Sequence, residues 1–358
     1  MAIPTLNITF RQAAKKTAAK LTRGTVAVIV KDTAQALAGT VAEVSTVADI
    51  PAALSADNKK YIERALIGGD QKPKRAYVAV MGSDGTYAAT LAALAKYNWD
   101  WLAADPECGT SDAATIATWI ATQRGKGAVY KAVLPNKAAN DAAIVNFAAS
   151  DITAEGSTVT TAAFCSRIAG LIAGTGIAQS ITYYVLPDVT DCERLTADEM
   201  SAAVAAGKLI LMHDGEKVKI VSGVTSLVPT GGKSDPLQKI KTVEVIDAIR
   251  RDITLLVQDG YIGKLPNTYD NKCVLITAIR DYLRTLEAED VLAEGSTVEI
   301  DVAAQRDWLK SAGVDVSDMD DDAVKTANTG THVFLAVNIS IYDVIETINI
   351  EITYTMEA

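Results

Sequence analysis

The residues that could do chemistry are few. Two histidines, His213 and His332, occur in 358 residues. Neither stands in an H-E-x-x-H pair or near a G-x-S-x-G elbow, so no histidine-based zinc or nucleophile arrangement can be read from spacing. Gly232-Lys233-Ser234 invites a phosphate loop. Such a loop needs a glycine five positions earlier, to let the backbone amides curl around the phosphates. That position is Leu227, and Asp235-Pro236 follows where a helix should continue, so a linking turn is expected. Gly82-Ser-Asp-Gly85 and Gly174-Thr-Gly176 are fragments of a dinucleotide fingerprint without its glycine spacing. Asp318, Asp320 and Asp322 alternate like a calcium loop, but Ala323 stands at the sharp-turn glycine and Thr329 at the bidentate glutamate. A solvated acidic loop over Asp315 to Asp322 is the expectation. Cys108, Cys165, Cys192 and Cys273 form no C-x-x-C pair and read as reduced thiols, mostly buried. No catalytic, cofactor-binding or metal-binding residue is assigned, and no cofactor is expected.

The elements around these residues read as a mixed α/β chain of several domains. Apolar residues make up 49% and charged residues 22%, the proportions of a folded globular protein. A net charge of −10 disfavours a basic nucleic-acid-binding surface. No apolar run reaches the ~20 residues of a membrane span. The opening residues lack the basic and apolar regions of a signal peptide, which places the product in the cytoplasm.

Residues 1–20 read as an arm. Leu6, Ile8 and Phe10 alternate with Asn7 and Thr9 as in a half-buried strand, which pairs either within its own fold or with another molecule. A small α/β domain is expected over 21–82, opening with a buried strand at Gly24–Val30. A middle α/β domain over 83–230 follows, with a mainly parallel sheet. Strands are expected at Ala76–Met81, closing the small domain, and at Asn98–Ala103 and Gly127–Val133 of the middle one. Its helices are expected from Gly85 to Lys96, around Ile116, Trp119 and Ile120 with Ser111 or Asp112 as cap, and around Ile144, Val145 and Ala148. An amphipathic helix is expected over Thr161–Ala173, and a hairpin from Lys208–Met212 with Lys217–Val221. A C-terminal α+β domain over 231–346 carries two long helices, Leu237–Gln258 and Asn271–Glu287. Two alternating strands close the chain, one through Val333, Leu335, Val337, Ile339 and Ile341, the other through Ile348, Ile350, Ile352 and Tyr354. Residues 347–358 form a C-terminal arm. The hexapeptide Ala-Glu-Gly-Ser-Thr-Val occurs at Ala154 and Ala293, too sparsely for a repeat and best read as a turn used twice.

Several segments, in order, resemble contractile phage tail sheath proteins, particularly those of prophages in Gram-positive bacteria. They are Pro4–Phe10 with Arg23–Val30, Ala169–Gly174 with Gln179–Thr182, Ile249–Ile253 leading to Tyr261–Asn267, and Val337–Glu346 running into Ile348–Ile352. The chain is short for that family and lacks the large surface insertion of its longest members. The resemblance implies a structural polymer and no enzyme. Subunits would stack as hexameric rings in a helical sheath around a tail tube, with a baseplate and tail terminator at its ends and no cofactor, nucleic acid or membrane insertion. On contraction the bodies rotate outward while the arms stay connected, driving the tube through the host envelope. The location is the virion tail, assembled in the host bacterial cytoplasm. Arm residues would be Leu6, Ile8 and Phe10 with Ile348, Ile350, Ile352 and Tyr354. Candidate tube-facing residues are Lys239, Lys241, Arg250 and Arg251 on the first long helix, and Arg280 and Arg284 on the second. A tail-end or baseplate adaptor and a soluble nucleotide-binding α/β enzyme are the competing readings.

Overall fold

The computed structural model describes residues 24–229 and 235–353. Leu6, Ile8, Phe10, Tyr354 and Gly232-Lys233-Ser234 lie outside the described residues. Contacts divide the chain into two compact units, one holding residues 24–249 and 341–353, the other Arg250–Ser340.

The larger unit begins with β1 (Thr25–Lys31), β2 (Val41–Val44), α1 (Ala56–Ile67), β3 (Arg75–Met81), α2 (Tyr87–Leu94) and β4 (Trp101–Ala103). It continues with α3 (Thr110–Gly125), β5 (Lys131–Pro135), β6 (Ile144–Phe147), β7 (Ile152–Ala154), β8 (Ser157–Val159) and α4 (Thr161–Gly174). After these come β9 (Val189–Asp191), α5 (Ala197–Ala205), β10 (Lys208–Leu209), β11 (Leu211–His213) and β12 (Val218–Ile220). Helix α6 (Ile240–Gly260) contains the unit boundary, between Ile249 and Arg250. The smaller unit adds α7 (Tyr269–Ala288), β13 (Thr297–Ile300), α8 (Val302–Ser311), α9 (Asp321–Thr326) and β14 (Leu335–Asn338).

Seven strands form the main sheet in the order β10-β6-β5-β4-β1-β3-β2. All neighbours are parallel except β2, which runs antiparallel along β3. β1 is apolar from Val26 to Val30 because both its faces are covered. Val26, Val28 and Val30 pack with Ile62 of α1 and Phe164 and Ile168 of α4. Ala27 and Ile29 pack with Leu91 of α2 and Ile116 and Ile120 of α3. Strands on both sides of residue 82 belong to this one sheet, so the expected boundary at 82/83 does not separate two cores.

Other expectations are corrected by the packing. Ile144 to Phe147 form β6, not a third helix, because a buried parallel strand is apolar on both faces and mimics a short helical run. Helix α4 is not amphipathic: every residue from Phe164 to Gly174 is buried. Its outer side lies against α1, and a Cβ on Gly170 would sit 2.1 Å from the Ala65 carbonyl oxygen. The cap of α3 is Gly109, whose amide donates to Asp112 inside the first turn. Of the expected hairpin, β11 and β12 pair, while β10 leaves to join the edge of the main sheet. The acidic loop is partly helical, with Asp320 capping α9 through the Ala323 amide (2.7 Å). The hexapeptide adopts two structures. At Ala154 it is a two-residue hairpin turn with Glu155 and Gly156 both at positive φ; at Ala293 it is a loop leading into β13.

In the smaller unit β13 and β14 make a two-stranded antiparallel sheet, with Val298 opposite Val337. Leu309, Val316 and Val324 form a small core among α8 and α9. Trp308 lies tilted against His332 and Phe334, its ring centre 5.2 and 6.3 Å from theirs.

Candidate assembly site

Beyond β14 the last expected strand does not form. The chain rejoins the larger unit at Ile341 and then runs without strand pairing through its described end at Thr353. The root of this C-terminal strap is fixed by charge. The Lys241 ammonium donates to the Tyr342 carbonyl (2.7 Å). Lys239 reaches both Asp343 Oδ2 (2.6 Å) and Glu346 Oε2 (2.7 Å), and Glu346 Oε1 accepts from the Thr182 hydroxyl (3.2 Å). Partial burial works against ionisation of Lys239, but the two carboxylates outweigh it and hold its pKa above the ordinary value. Asp343 is likewise held below the ordinary carboxylate value: burial opposes ionisation, and the Lys239 ammonium prevails. Burial pulls Lys241 the other way, below its ordinary value. A groove of about 590 Å³ lies between this segment and Asp70, Gln179 and Thr182–Tyr184.

Past the root the apolar side chains are uncovered. Ile348, Ile350 and Ile352 are 73, 75 and 79% exposed, and Ile345, within the root, is 84% exposed. Four isoleucines so placed make a local apolar surface out of proportion to the rest of the unit, where most Ile and Val residues are buried. The backbone there has no ladder partner in its own chain among the described residues, which leaves its N–H and C=O groups open to another strand.

The expected tube-facing cations divide. Lys239 and Lys241 are engaged by the strap root just described, and Lys241 is only 6% exposed, so neither stands as a free charge. Arg280 donates to the Val298 carbonyl (3.0 Å), Arg284 lies 3.7 Å from Asp281, and Arg251 lies 3.8 Å from Asp252. Arg250 and Arg284 are exposed. The histidines have structural surroundings: His213 Nδ1 accepts from the Gly215 amide at a turn, and His332 lies in the aromatic group of Trp308. Among the described residues no group of three or more metal-ligating side chains converges, and no helix is long and apolar enough to cross a membrane.

One cluster escaped the sequence reading. Lys131, 1% exposed, places its ammonium 3.0 Å from Glu244 and 3.1 Å from Asp247 of α6, and 5.4 Å from the centre of the Trp101 ring. Arg124 grips Asp247 through both terminal nitrogens (2.7 and 3.0 Å), and the Trp101 indole donates to Glu244 (3.0 Å). Acidic residues three apart on the buried stripe of α6 were the available signal. Together the cluster and the strap root fasten the first two turns of α6 within the larger unit.

Residues 82–226 match the phage tail sheath protein central domain, and residues 233–355 the phage tail sheath C-terminal domain. A tail sheath protein of Clostridium phage phiCD119 is 35% identical, over 97% of this chain and 98% of that protein. The chain belongs to the phage tail sheath family. It is a structural sheath subunit, a component of the phage tail. Two solved structures share the fold. The helical sheath of the anti-feeding prophage in its contracted state aligns with TM-score 0.71, at 15% identity, over 99% of each chain. A sheath tail protein from Desulfitobacterium hafniense aligns with TM-score 0.68, at 16% identity, over 83% of this chain and 94% of its own. The sheath family is structural, which accounts for a chain whose chemistry-bearing residues serve turns, caps and ion pairs.

Proposed function

We propose that this sheath subunit polymerises with copies of itself through its terminal arms, around a tail tube, and contracts to drive that tube through a host envelope. The observation that carries the reading is the run of uncovered isoleucines at Ile348, Ile350 and Ile352, on a backbone without strand pairing among the described residues, just past the strap root. The two-stranded sheet of β13 and β14 offers edges on which an arm from another copy adds a strand. A contact of this kind is head-to-tail and does not close on itself, so it propagates as a helix. Residues 4–10 are the second arm in this reading. The tether from Arg11 to Arg23, extended at ~3.3 Å per residue, reaches up to ~40 Å and lets the body swing without breaking the link. Contraction is then a change between two packings of rigid bodies, with a barrier holding the extended form. Arg250, Arg251, Arg280 and Arg284 are the proposed tube-facing charges. Baseplate and terminator contacts lie at the ends of the polymer, and assembly takes place in the bacterial cytoplasm.

Removal of residues 347–358 tests the arm. The truncated subunit is expected to fold with an unchanged circular dichroism spectrum and to yield no sheathed tails by negative-stain microscopy. Normal sheaths from the truncated chain would falsify the arm mechanism.

A further inference from the structure

We propose that Lys239, with Lys241 beside it, is the positioning residue that fixes where and in which direction the C-terminal arm leaves the subunit. The inference deepens the arm reading above and rests on it. Four observations converge. Lys239 bridges two carboxylates three residues apart, Asp343 and Glu346, at 2.6 and 2.7 Å. Lys241, one residue beyond the start of α6, holds the backbone just before them through the Tyr342 carbonyl. Glu346 is held from its other oxygen by Thr182, whose hydroxyl also accepts from the Gly223 amide, so the far side of the root is tied to a second, separate loop. Fastening then stops: beyond Glu346 no side-chain bond holds the segment among the described residues, and the isoleucines at 348, 350 and 352 are about three-quarters exposed.

A strap held at four points and released abruptly behaves as a pivot. The chain before Glu346 has one direction and the chain after it is free to find a partner. Fixing that direction lowers the ordering cost of strand addition, because the arm searches from a set origin and not along its whole length. The lysines' own base is firm, since α6 is anchored one turn further on by Lys131 and Arg124 acting on Glu244 and Asp247. Each exposed ion pair alone is worth little, but two pairs on one ammonium plus a backbone hydrogen bond are worth about tenfold in local opening.

Glutamyl endopeptidase reads this directly, because Glu346 is the last fastened residue of the pivot and Glu351 lies on the released chain beyond it. Cleavage releases residues 347–358 or 352–358, which mass spectrometry separates. In the full-length subunit at low salt, cleavage after Glu346 is expected to be about tenfold slower than after Glu351. Lys239→Gln should bring the two rates together, and Lys239→Arg should keep them apart. Equal rates in the unaltered protein, or protection of Glu346 that survives Lys239→Gln, overturn the pivot. A second readout uses particles from a producing strain. Lys239→Gln is expected to lower the yield of fully sheathed tails about tenfold. Lys239→Glu combined with Asp343→Lys and Glu346→Lys restores it by reversing the same pairs. If residues 347–358 prove dispensable for sheaths, the arm reading fails. If they are required while Lys239→Gln assembles normally, only the pivot fails.

Discussion

Lys131 shows how a charge comes to be buried in a sheath body. Its ammonium is matched by Glu244 and Asp247, and Asp247 is matched again by Arg124, so every charge in the cluster faces an opposite one. Burial disfavours the charged lysine, yet the carboxylates, Glu244 foremost, keep its pKa above the ordinary value. Lys131→Met leaves Glu244 without its ammonium partner and Asp247 with Arg124 alone in a largely buried site. It is expected to lower stability in urea by about 3–5 kcal/mol, the cost of breaking a buried pair from one side. Asp32 gives a pH signature of its own. It accepts from the amides of Ser55 (2.9 Å) and Ala34 (3.0 Å) and from the Asn58 side chain (2.8 Å). The Ser55 amide does most to pull its pKa from 3.8 to about 2. A lowered carboxylate pKa means that the folded state favours the ionised form. The resulting stability is fully present above 3.8 and is lost as the pH falls from there through about 2. Unfolding titrations across that window should show a steep decline that Asp32→Asn shallows.

At the level of elements, glycine positions separate close packing from mere looseness. Gly170 lets α4 meet α1 backbone to backbone, and an added Cβ would meet the Ala65 carbonyl, which cannot rotate aside. Gly170→Ala is expected to cost about 1–3 kcal/mol through forced backbone shifts. Gly125, at the end of α3, has open space around its would-be Cβ. Gly125→Ala is expected to stabilise by up to about 1 kcal/mol, the helix-propensity gain, with both variants read by thermal melting. The elements legible in the sequence were those whose apolar period is long: β1, β3, α6 and α7 stand where their patterns put them. Ile144-Val145-Asn146-Phe147 was misread because four residues fit either period when both sides are buried. Helix α4 misled because its outer face is covered by α1, a long-range contact that no local pattern carries. The same blindness hid the strap root. Asp343 and Glu346 fell between the two expected strands, and Lys239 read as a tube-facing charge, until the fold brought residues about a hundred apart into one cluster. Ile348, Ile350 and Ile352 were legible as an alternating apolar run, which the family resemblance made an arm; the structure adds that their side chains are exposed in the subunit.

On the scale of the whole molecule, a chain of net charge −10 still presents arginines on α6 and α7. The Arg250 and Arg251 pair is the sharper test of the proposed tube contact. Double reversal, Arg250→Glu with Arg251→Glu, is expected to abolish co-sedimentation with tail tubes while leaving the subunit's melting profile intact. Unchanged co-sedimentation would remove these two from the contact. The same scale brings out an unused property of the aromatic side chains. All four tryptophans fall within the described residues, and they divide unevenly between the two units. Trp99, Trp101 and Trp119 belong to the larger one, Trp99 and Trp119 stacked with Tyr130 on one side of its sheet, whereas Trp308 stands alone in the smaller one beside His332 and Phe334. Emission from a Trp308→Phe variant therefore reports one unit only, and its difference from the parent spectrum reports the other. The protein carries a native two-channel optical gauge, able to tell whether its halves melt together or in sequence without any attached dye.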